Sequence, residues 1–392
     1  MKKIKYILSN VAKYHHFEVA KALFKKDQLI KIVCGYPWFK LKKEKIPKKY
    51  VDSFGLYNII NYFLRGSKYE SIAYLEDRLQ YINANAISKR SLKYIEEADV
   101  LLAMSGTGLF SGRKIIDKNK IYVCERGAVH LLYQKEIFIE EYKSLNLNAE
   151  LLTMLKRGFN NWKVERETKE YELANYILVP SQFAMKSFEK YGITKTVVAE
   201  YGINLSNFYP IKDIKKDPKY FDIIFIGLVS IRKGLHYLIE AFNKFKNPNK
   251  RLHIFGQHTL DKEFFINKLN NDKIYYHGKV DHRQLKYFIN KSDVFVLASL
   301  QEGYATVVPQ AMACGCPVIV SENTGSAEYV RKYQCGFVVP IRDSNAILEK
   351  LELLSDDNNL KIELKNNVIN ASIKNTWDDY VDKLNNIFSR LV

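Results

Sequence analysis

The chain has 392 residues, of which 47% are hydrophobic and 13% aromatic, and 61 Lys and Arg against 43 Asp and Glu give it a formal net charge of +18. This length exceeds that of one typical hydrophobic core and predicts two globular domains. No apolar run reaches the roughly 18 residues that a membrane-spanning helix needs. Five cysteines without a C-x-x-C pair argue against a disulfide framework and a zinc site, so we expect a protein of the reducing cytoplasm.

The N-terminal part of the chain begins with an apolar segment at residues 4–8, which predicts a buried first strand. Its apolar core is too short for an export signal. Apolar spacing then predicts a helix over 17–24 and a strand over 29–33. From residue 50 to residue 81 apolar residues recur at intervals of three and four, which predicts further helices.

Positive charge is concentrated in the first 50 residues, next to the aromatic residues Trp38 and Phe39. The densest part consists of Lys40, Lys42, Lys43, Lys45, Lys48 and Lys49. Basic side chains beside aromatic ones suit an anionic membrane surface, at about 1 kcal/mol per Lys near the headgroups. A coding bias toward Lys, Asn, Ile and Tyr explains the charge equally well. Nucleic acid is a weaker alternative, because the sequence has no nucleic-acid-binding motif, and we expect none to bind.

The rest of the chain alternates apolar strand segments with helical segments in two halves. A polar, proline-containing joint at 209–221 separates the halves, so we predict one domain over 1–208 and a second over 209–376. The tail, 377–392, carries an apolar stripe at helical spacing. This alternation favours two doubly wound α/β sheets that face each other across a cleft.

Glycine turns follow predicted strands in both halves. They lie at Gly106, Gly127, Gly227 and Gly303. Ligands of doubly wound sheets bind beyond the carboxyl ends of the strands, so these turns are expected to line the cleft.

One of these turns, at 227–234, carries two glycines and the cations Arg232 and Lys233. A turn of this kind beyond a strand can reach a diphosphate. The alternative is a solvated turn without a ligand.

The most informative stretch is 299–320, which reads as strand end, glycine turn, short helix, glycine stop and strand. This is one βαβ unit and predicts parallel strands. The turn would present four backbone N–H groups at the start of the helix, those of Gly303, Tyr304, Ala305 and Thr306. Such groups attract anions, whereas the neighbouring Glu302 can accept hydrogen bonds from hydroxyls. A sugar joined to a phosphate meets both demands; the alternative is an ordinary turn with an exposed Glu.

This stretch resembles the signature of glycosyltransferase family 4, whose members are retaining enzymes of the GT-B fold. Glu302 matches the first Glu of the signature and residues 311–315 match its Ala-Met-Ala-Cys-Gly turn, whereas Gln310 replaces the usual second Glu. The resemblance extends from about residue 179 to 340. It implies two Rossmann-like domains, an N-terminal one that binds the acceptor and a C-terminal one that binds a nucleotide sugar. It also implies that helix 377–392 crosses back to the first domain.

The resemblance also assigns roles to single residues. Lys233 and Arg232, in the turn that begins at Gly227, would bind the diphosphate, although the Arg usual after this glycine is Leu228 here. Glu302 would hold sugar hydroxyls and Gln310 the ribose. The backbone at Val280 would meet the base. His130 would face the donor sugar, with His15 and His16 as competing histidines.

These assignments imply a glycosyltransferase that moves a hexosyl group, with retention, from a nucleotide-diphosphate sugar to an acceptor hydroxyl. We expect a glycan or lipid-linked acceptor, a role in bacterial surface polysaccharide or glycolipid synthesis, and a site on the inner face of the cell membrane. No D-x-D pair follows a strand, so no metal or other cofactor is expected. The alternative, favoured by Leu228 and Gln310, is a non-catalytic module of the same fold that binds nucleotide sugar or a partner.

Overall fold

The computed structural model describes residues 3–64, 70–147, 159–204, 206–259, 261–372 and 376–389. Thirteen strands lie within these ranges: β1 (Tyr6–Asn10), β2 (Leu29–Cys34), β3 (Val51–Ser53), β4 (Val100–Met104), β5 (Ile121–Glu125), β6 (Tyr176–Val179), β7 (Thr196–Val198), β8 (Phe221–Ile226), β9 (Lys250–Phe255), β10 (Ile274–Gly278), β11 (Val294–Leu297), β12 (Val318–Ser321) and β13 (Gly336–Val339).

The α-helices of the first half are α1 (His16–Lys25), α2 (Trp38–Leu41), α3 (Leu56–Leu64), α4 (Glu70–Ser91), α5 (Leu109–Ile116), α6 (Leu131–Ser144), α7 (Asn161–Leu173) and α8 (Gln182–Glu189). Those of the second half are α9 (Leu235–Lys244), α10 (Lys262–Ile266), α11 (Leu285–Lys291), α12 (Val307–Ala313), α13 (Ala327–Tyr333), α14 (Ser344–Asp356), α15 (Asn358–Ser372) and α16 (Trp377–Phe388). Short 3-10 helices lie at Lys42–Glu44, Lys48–Tyr50, Leu92–Glu97 and Ile231–Lys233.

The strands form two parallel sheets. The first has the order β3-β2-β1-β4-β5-β6-β7 and the second the order β10-β9-β8-β11-β12-β13. Central strands such as β1, β8 and β11 are buried along their whole length, because helices cover both faces of each sheet. In each sheet the chain order reverses beside the first strand, and this reversal opens a crevice at the carboxyl ends.

The observed elements differ from the predicted ones mainly in the first half. Strand β1 begins two residues later than predicted and extends to Asn10, because its pairing with β2 and β4 continues past the apolar segment. The region 50–81, predicted as helical, also contains the short edge strand β3. The short helix predicted within 299–320 corresponds to α12.

The two halves of the chain share part of their packing. Helix α16 packs on α1, and its Asn385 also accepts a 3.0 Å hydrogen bond from the hydroxyl of Tyr6 in β1. The backbone passes between the halves at Gly202 and again at Thr376, which lies beside it. Helix α6, in contrast, belongs to the first half in sequence but contributes Phe138 to the core of the second. The predicted bounds 1–208 and 209–376 stay a prediction.

Among the helices of the described ranges, none combines the length and the apolarity that crossing a lipid bilayer requires.

Candidate active site

Three charged side chains meet where the glycine turns after β8 and β11 face each other. The Glu302 carboxylate lies 2.5 Å from the Lys233 Nζ and also accepts a hydrogen bond from the Arg232 guanidinium. The side chains of Glu302 and Lys233 are only 13% and 10% exposed. The two segments singled out in the sequence, 70 residues apart, therefore contribute to one charged cluster.

Burial and charge act against each other within this cluster. Burial by itself would raise the pKa of Glu302, but Arg232 and Lys233 outweigh it, and the pKa lies below its ordinary value. Burial lowers the pKa of Lys233, although the adjacent carboxylate partly offsets this effect. With all three groups ionised the cluster carries one net positive charge, which suits an anionic ligand.

Glycines bring the turns this close together. A Cβ atom on Gly303 would lie 2.3 Å from the Gly127 carbonyl oxygen, so only glycine permits the loop after β11 to touch the loop after β5. The Gly303 carbonyl accepts a 2.7 Å hydrogen bond from the Ser181 hydroxyl at the start of α8. The loop after β11 in the second half is thus in direct contact with the first half.

The backbone after Gly303 forms a tight turn into α12. Ala305 has a φ of +59°, a left-handed conformation uncommon for a residue with a side chain. The turn directs the chain so that the N–H groups of Gly303, Ala305 and Thr306 donate no hydrogen bond within the described part of the protein. The Tyr304 side chain is buried and packs edge-on against Tyr201 of the first half.

The remaining residues predicted to bind the donor lie just beyond strand ends or on α12. Gly227 directly follows β8, and a Cβ atom on it would lie 3.7 Å from the Lys233 Cε. Burial lowers the pKa of His282, and a hydrogen bond with Gln310 on α12 offsets part of this effect. Val280 is half-buried beside Gly278, whose left-handed φ of +63° turns the chain after β10.

His130 lies at the start of α6 in the first half. It is the N-cap of α6, where its Nδ1 accepts a 3.3 Å hydrogen bond from the Leu132 N–H, and its ring stacks on Tyr191 at 4.2 Å. Burial lowers the pKa of His130 to about 4, so the imidazole is neutral at physiological pH. No hydrogen bond or ion pair in the described ranges joins His130 to Glu302 or Lys233. Its role toward a donor sugar stays a prediction.

The competing histidines form a cluster that sequence reasoning did not assemble. His15 and His16 each place Nε2 at 2.5 Å from a different oxygen of the buried Glu125, and the Tyr201 hydroxyl donates to the same carboxylate at 2.8 Å. The charges and hydrogen bonds of the two histidines hold the pKa of Glu125 well below its ordinary value despite burial. A carboxylate at the end of β5 and a histidine pair after β1 were visible in the sequence, but only the order of the strands in the sheet brings them together.

A cavity of about 510 Å³ lies at the carboxyl ends of β1 and β4, beside these loops. Sequence reasoning missed it as well, since its walls come from residues between Val11 and Glu167 that share no short motif.

Sequence comparison finds similarity to known glycosyltransferases, and the matching family model covers the second half of the chain. Residues 210–374 match the family described as "Glycosyl transferases group 1". A Campylobacter jejuni N,N'-diacetylbacillosaminyl-diphospho-undecaprenol alpha-1,3-N-acetylgalactosaminyltransferase is 23% identical over 207 residues, which are 50% of this chain and 54% of that protein. The Staphylococcus aureus capsular polysaccharide biosynthesis glycosyltransferase CapM is 29% identical over 153 residues, covering 38% and 40%. The chain spans about half the length of the curated relatives it matches.

Solved structures match over the whole chain. Sucrose-phosphate synthase from Thermosynechococcus elongatus superposes with a TM-score of 0.71 at 15% identity. The superposition covers 100% of this chain and 99% of the synthase chain. Anabaena HepE, in complex with UDP and glucose, gives a TM-score of 0.71 at 13% identity, covering 99% and 100%. The chain therefore has the GT-B fold, with two Rossmann-like domains around a central cleft.

Proposed function

We propose that the protein is a retaining glycosyltransferase that moves a hexosyl group from a nucleotide-diphosphate sugar to an acceptor hydroxyl, in the synthesis of a surface polysaccharide or glycolipid. The observation that carries this proposal is the contact of Glu302 with Lys233 and Arg232 at the loops after β8 and β11. The names of the C. jejuni and S. aureus relatives support the reaction class. The complexes of Anabaena HepE with UDP and UDP-glucose support a nucleotide sugar as the donor.

In the proposed reaction the bond between the sugar C1 and the β-phosphate oxygen breaks, and a bond from C1 to the acceptor oxygen forms. The acceptor proton passes to the departing phosphate, so atoms and charge balance. Lys233 and Arg232 lie where they would stabilise the negative charge that develops on this phosphate. Glu302 would exchange part of its contact with these cations for hydrogen bonds to sugar hydroxyls.

Retention of the anomeric configuration is proposed from the same arrangement. Within the described residues, Glu302 is engaged by two cations and Glu125 by two histidines, which leaves neither carboxylate placed as a free nucleophile. Attack on the face from which the phosphate leaves requires no enzyme nucleophile and produces a retained product.

The proposal is tested by incubating the purified protein with UDP-, GDP-, ADP- and dTDP-hexoses and measuring release of the free nucleoside diphosphate. Release from one donor class, together with loss of release in Lys233→Met, is the expected result. Nucleotide sugar that binds but is never cleaved, even with cell-envelope extract as a source of acceptor, would favour the non-catalytic module that Leu228 and Gln310 suggested. Absence of both binding and cleavage would contradict the donor site itself.

We further propose that the first domain rests on an anionic membrane, where a lipid-linked acceptor would be found. The lysines of the basic segment, at positions 40, 42, 43, 45, 48 and 49, are all exposed. Large apolar side chains nearby in the chain are exposed too: Phe39, Leu56, Phe63, Tyr74 and Leu75. Apolar side chains combined with lysines bind anionic lipid surfaces through burial and charge together.

Co-sedimentation with vesicles tests this part separately. Vesicles of phosphatidylcholine with phosphatidylglycerol are expected to retain the protein at low salt and to release part of it at high salt, whereas phosphatidylcholine alone retains less. Equal binding to both compositions, or none to either, would contradict electrostatic binding of the first domain to anionic lipid. The excess of lysines would then be explained by coding bias.

A further inference from the structure

The cavity at the carboxyl ends of β1 and β4 has the features of a carbohydrate site. We infer that it binds an uncharged sugar unit of the acceptor, an inference that rests on the proposed glycosyltransferase function. Its volume of about 510 Å³ lies within the roughly 300–1,000 Å³ typical of small-molecule pockets. Its walls come from the loop after β1, from α3 and α4, from the loop after β4, and from α7.

The cavity stands next to the charged cluster in the cleft. Ser105, in its wall, accepts a 3.3 Å hydrogen bond from Arg126, which also pairs at 2.9 Å with Glu167 in the opposite wall. Arg126 directly precedes Gly127, the residue that Gly303 touches. The wall of the cavity therefore borders, through Arg126 and Gly127, on the loop after β11 that carries Gly303.

Three amide side chains supply uncharged hydrogen-bonding groups to the cavity. Asn58, Gln80 and Asn83 line it, and each amide can both donate and accept hydrogen bonds, as sugar hydroxyls do. The Asn83 Oδ1 is buried and has no hydrogen-bond partner, although the Nδ2 of the same side chain donates to Asn58 at 3.3 Å. A buried acceptor without a partner is costly, so this atom is suited to receive a ligand hydroxyl.

The cations of the cavity wall are already neutralised. Arg166 is 4% exposed, lies 3.3 Å from the Glu170 carboxylate and donates a 2.7 Å hydrogen bond to the Gly106 carbonyl. Lys163 pairs at 3.4 Å with Asp77. Among the described wall residues no unpaired cation remains for a phosphate or a carboxylate, and Glu76 adds negative charge. This balance favours an uncharged sugar over an anionic one.

Trp162 provides an apolar surface for such a ring. Its indole N–H donates a 2.7 Å hydrogen bond to Asp77, and its ring packs edge-on against Tyr81, so both contacts hold the indole in the cavity wall. Tyr36 lines another part of the cavity. Aromatic faces pack against the C–H face of a sugar ring while amides bind its hydroxyls, and the combination selects a neutral carbohydrate.

The test uses the full-length protein and the donor identified by nucleotide release. Its acceptor probes are para-nitrophenyl glycosides of glucose, galactose, N-acetylglucosamine and N-acetylgalactosamine, with the para-nitrophenyl glucuronide and glucose 6-phosphate as anionic counterparts. Transfer, followed by mass spectrometry, is expected to at least one neutral glycoside, with kcat/KM at least tenfold above that for either anionic probe.

Variants tie the result to the cavity. Trp162→Ala and Gln80→Leu are each expected to lower kcat/KM for the neutral acceptor at least tenfold, mainly through a higher acceptor KM. The matched variants Tyr287→Ala and Gln284→Leu, whose side chains are exposed in the second domain, should match the wild type. The affinity for the nucleoside diphosphate serves as a check that each variant is folded.

The two proposals fail in different ways. If the wild type releases no nucleoside diphosphate from any donor, the glycosyltransferase proposal fails. If it releases nucleoside diphosphate but transfers only to anionic probes or to none, or if Trp162→Ala and Gln80→Leu transfer as well as the wild type, the inference about the cavity alone is overturned.

Discussion

The charged cluster in the second half of the chain and the cavity in the first half are built in different ways. In the charged cluster, Lys233 and Glu302 come from two short glycine turns within one sheet, and each turn carries its charged residues within a few consecutive positions. The wall of the cavity instead gathers residues from Val11 to Glu167. A phosphate is bound by charge and backbone amides, which a short turn can supply, whereas a sugar ring needs an enclosing surface. The predictions below test this difference.

The largest loss of activity is expected from substitutions of the charged residues in the cluster. Lys233→Met removes the buried cation and Glu302→Gln removes the charge that holds both cations in place, and each is expected to lower kcat by about 100- to 1,000-fold, the range for losing one preorganised electrostatic contact. Steady-state kinetics with the donor identified by nucleotide release measure the change in kcat. Lys279→Met and Glu322→Gln, at exposed positions of neighbouring loops, are the controls. Near-normal rates in both site variants would show that the cluster is structural.

Gly303→Ala is expected to give the next largest effect. The added methyl would lie 2.3 Å from the Gly127 carbonyl oxygen and push the loop after β11 away from the first half. We therefore expect at least a tenfold loss in kcat/KM. Gly192 has a φ of +73° and no atom within 4 Å of an added Cβ, so Gly192→Ala lowers stability through backbone strain without a clash and separates the two effects. An active Gly303→Ala enzyme would mean that the two loops need not touch.

A smaller effect is expected where α6 meets the second domain. The buried Glu141 accepts hydrogen bonds from Tyr237 at 2.7 Å and Arg342 at 2.6 Å. Glu141→Gln weakens these charge-assisted bonds and should lower the free energy of unfolding by about 2 kcal/mol, with a few-fold loss of activity. Denaturant unfolding measures the change. Glu140→Gln, at the exposed neighbouring position, should cost less than about 0.5 kcal/mol, and equal costs would contradict the contact.

The smallest effect on catalysis is expected at His130. Asn preserves an N-cap side chain, so His130→Asn should change kcat by less than about threefold and act mainly on stability. The pKa of about 4 in the folded protein lies below the ordinary 6.5, so this histidine's contribution to stability is complete above pH 6.5 and lost as pH falls toward 4. The loss amounts to about 3 kcal/mol.

Urea unfolding of the wild type and the variant between pH 8 and pH 4 measures this contribution. His130→Asn should lack the part of the pH dependence that lies between 6.5 and 4. A loss of kcat above a hundredfold, with unfolding unchanged, would instead support the role toward the donor sugar that the resemblance implied.

Features that are encoded in short stretches of sequence were predicted, whereas contacts between distant segments were not. The parallel strands were predicted because buried strands appear as apolar runs followed by glycine turns, and the GT-B fold was predicted from the family resemblance; the comparisons confirm that fold. The meeting of Lys233 and Glu302 was predicted from the glycine turns that follow their strands and from the same resemblance. The pairing of His15 with Glu125, the packing of Phe138 into the second core and the cavity beside Trp162 depend on contacts between distant segments. Such contacts leave no periodic or spaced pattern in the sequence.

The central claim, that Lys233 and Glu302 form a site for a sugar-linked diphosphate, is tested most directly by calorimetric titration of the wild type and Lys233→Met with UDP, GDP, ADP and dTDP and with the matching monophosphates. We predict that one diphosphate binds the wild type at least tenfold more tightly than its monophosphate, and that Lys233→Met loses this difference while Lys279→Met keeps it. Equal affinity for diphosphate and monophosphate, or an unchanged preference in Lys233→Met, would contradict the account.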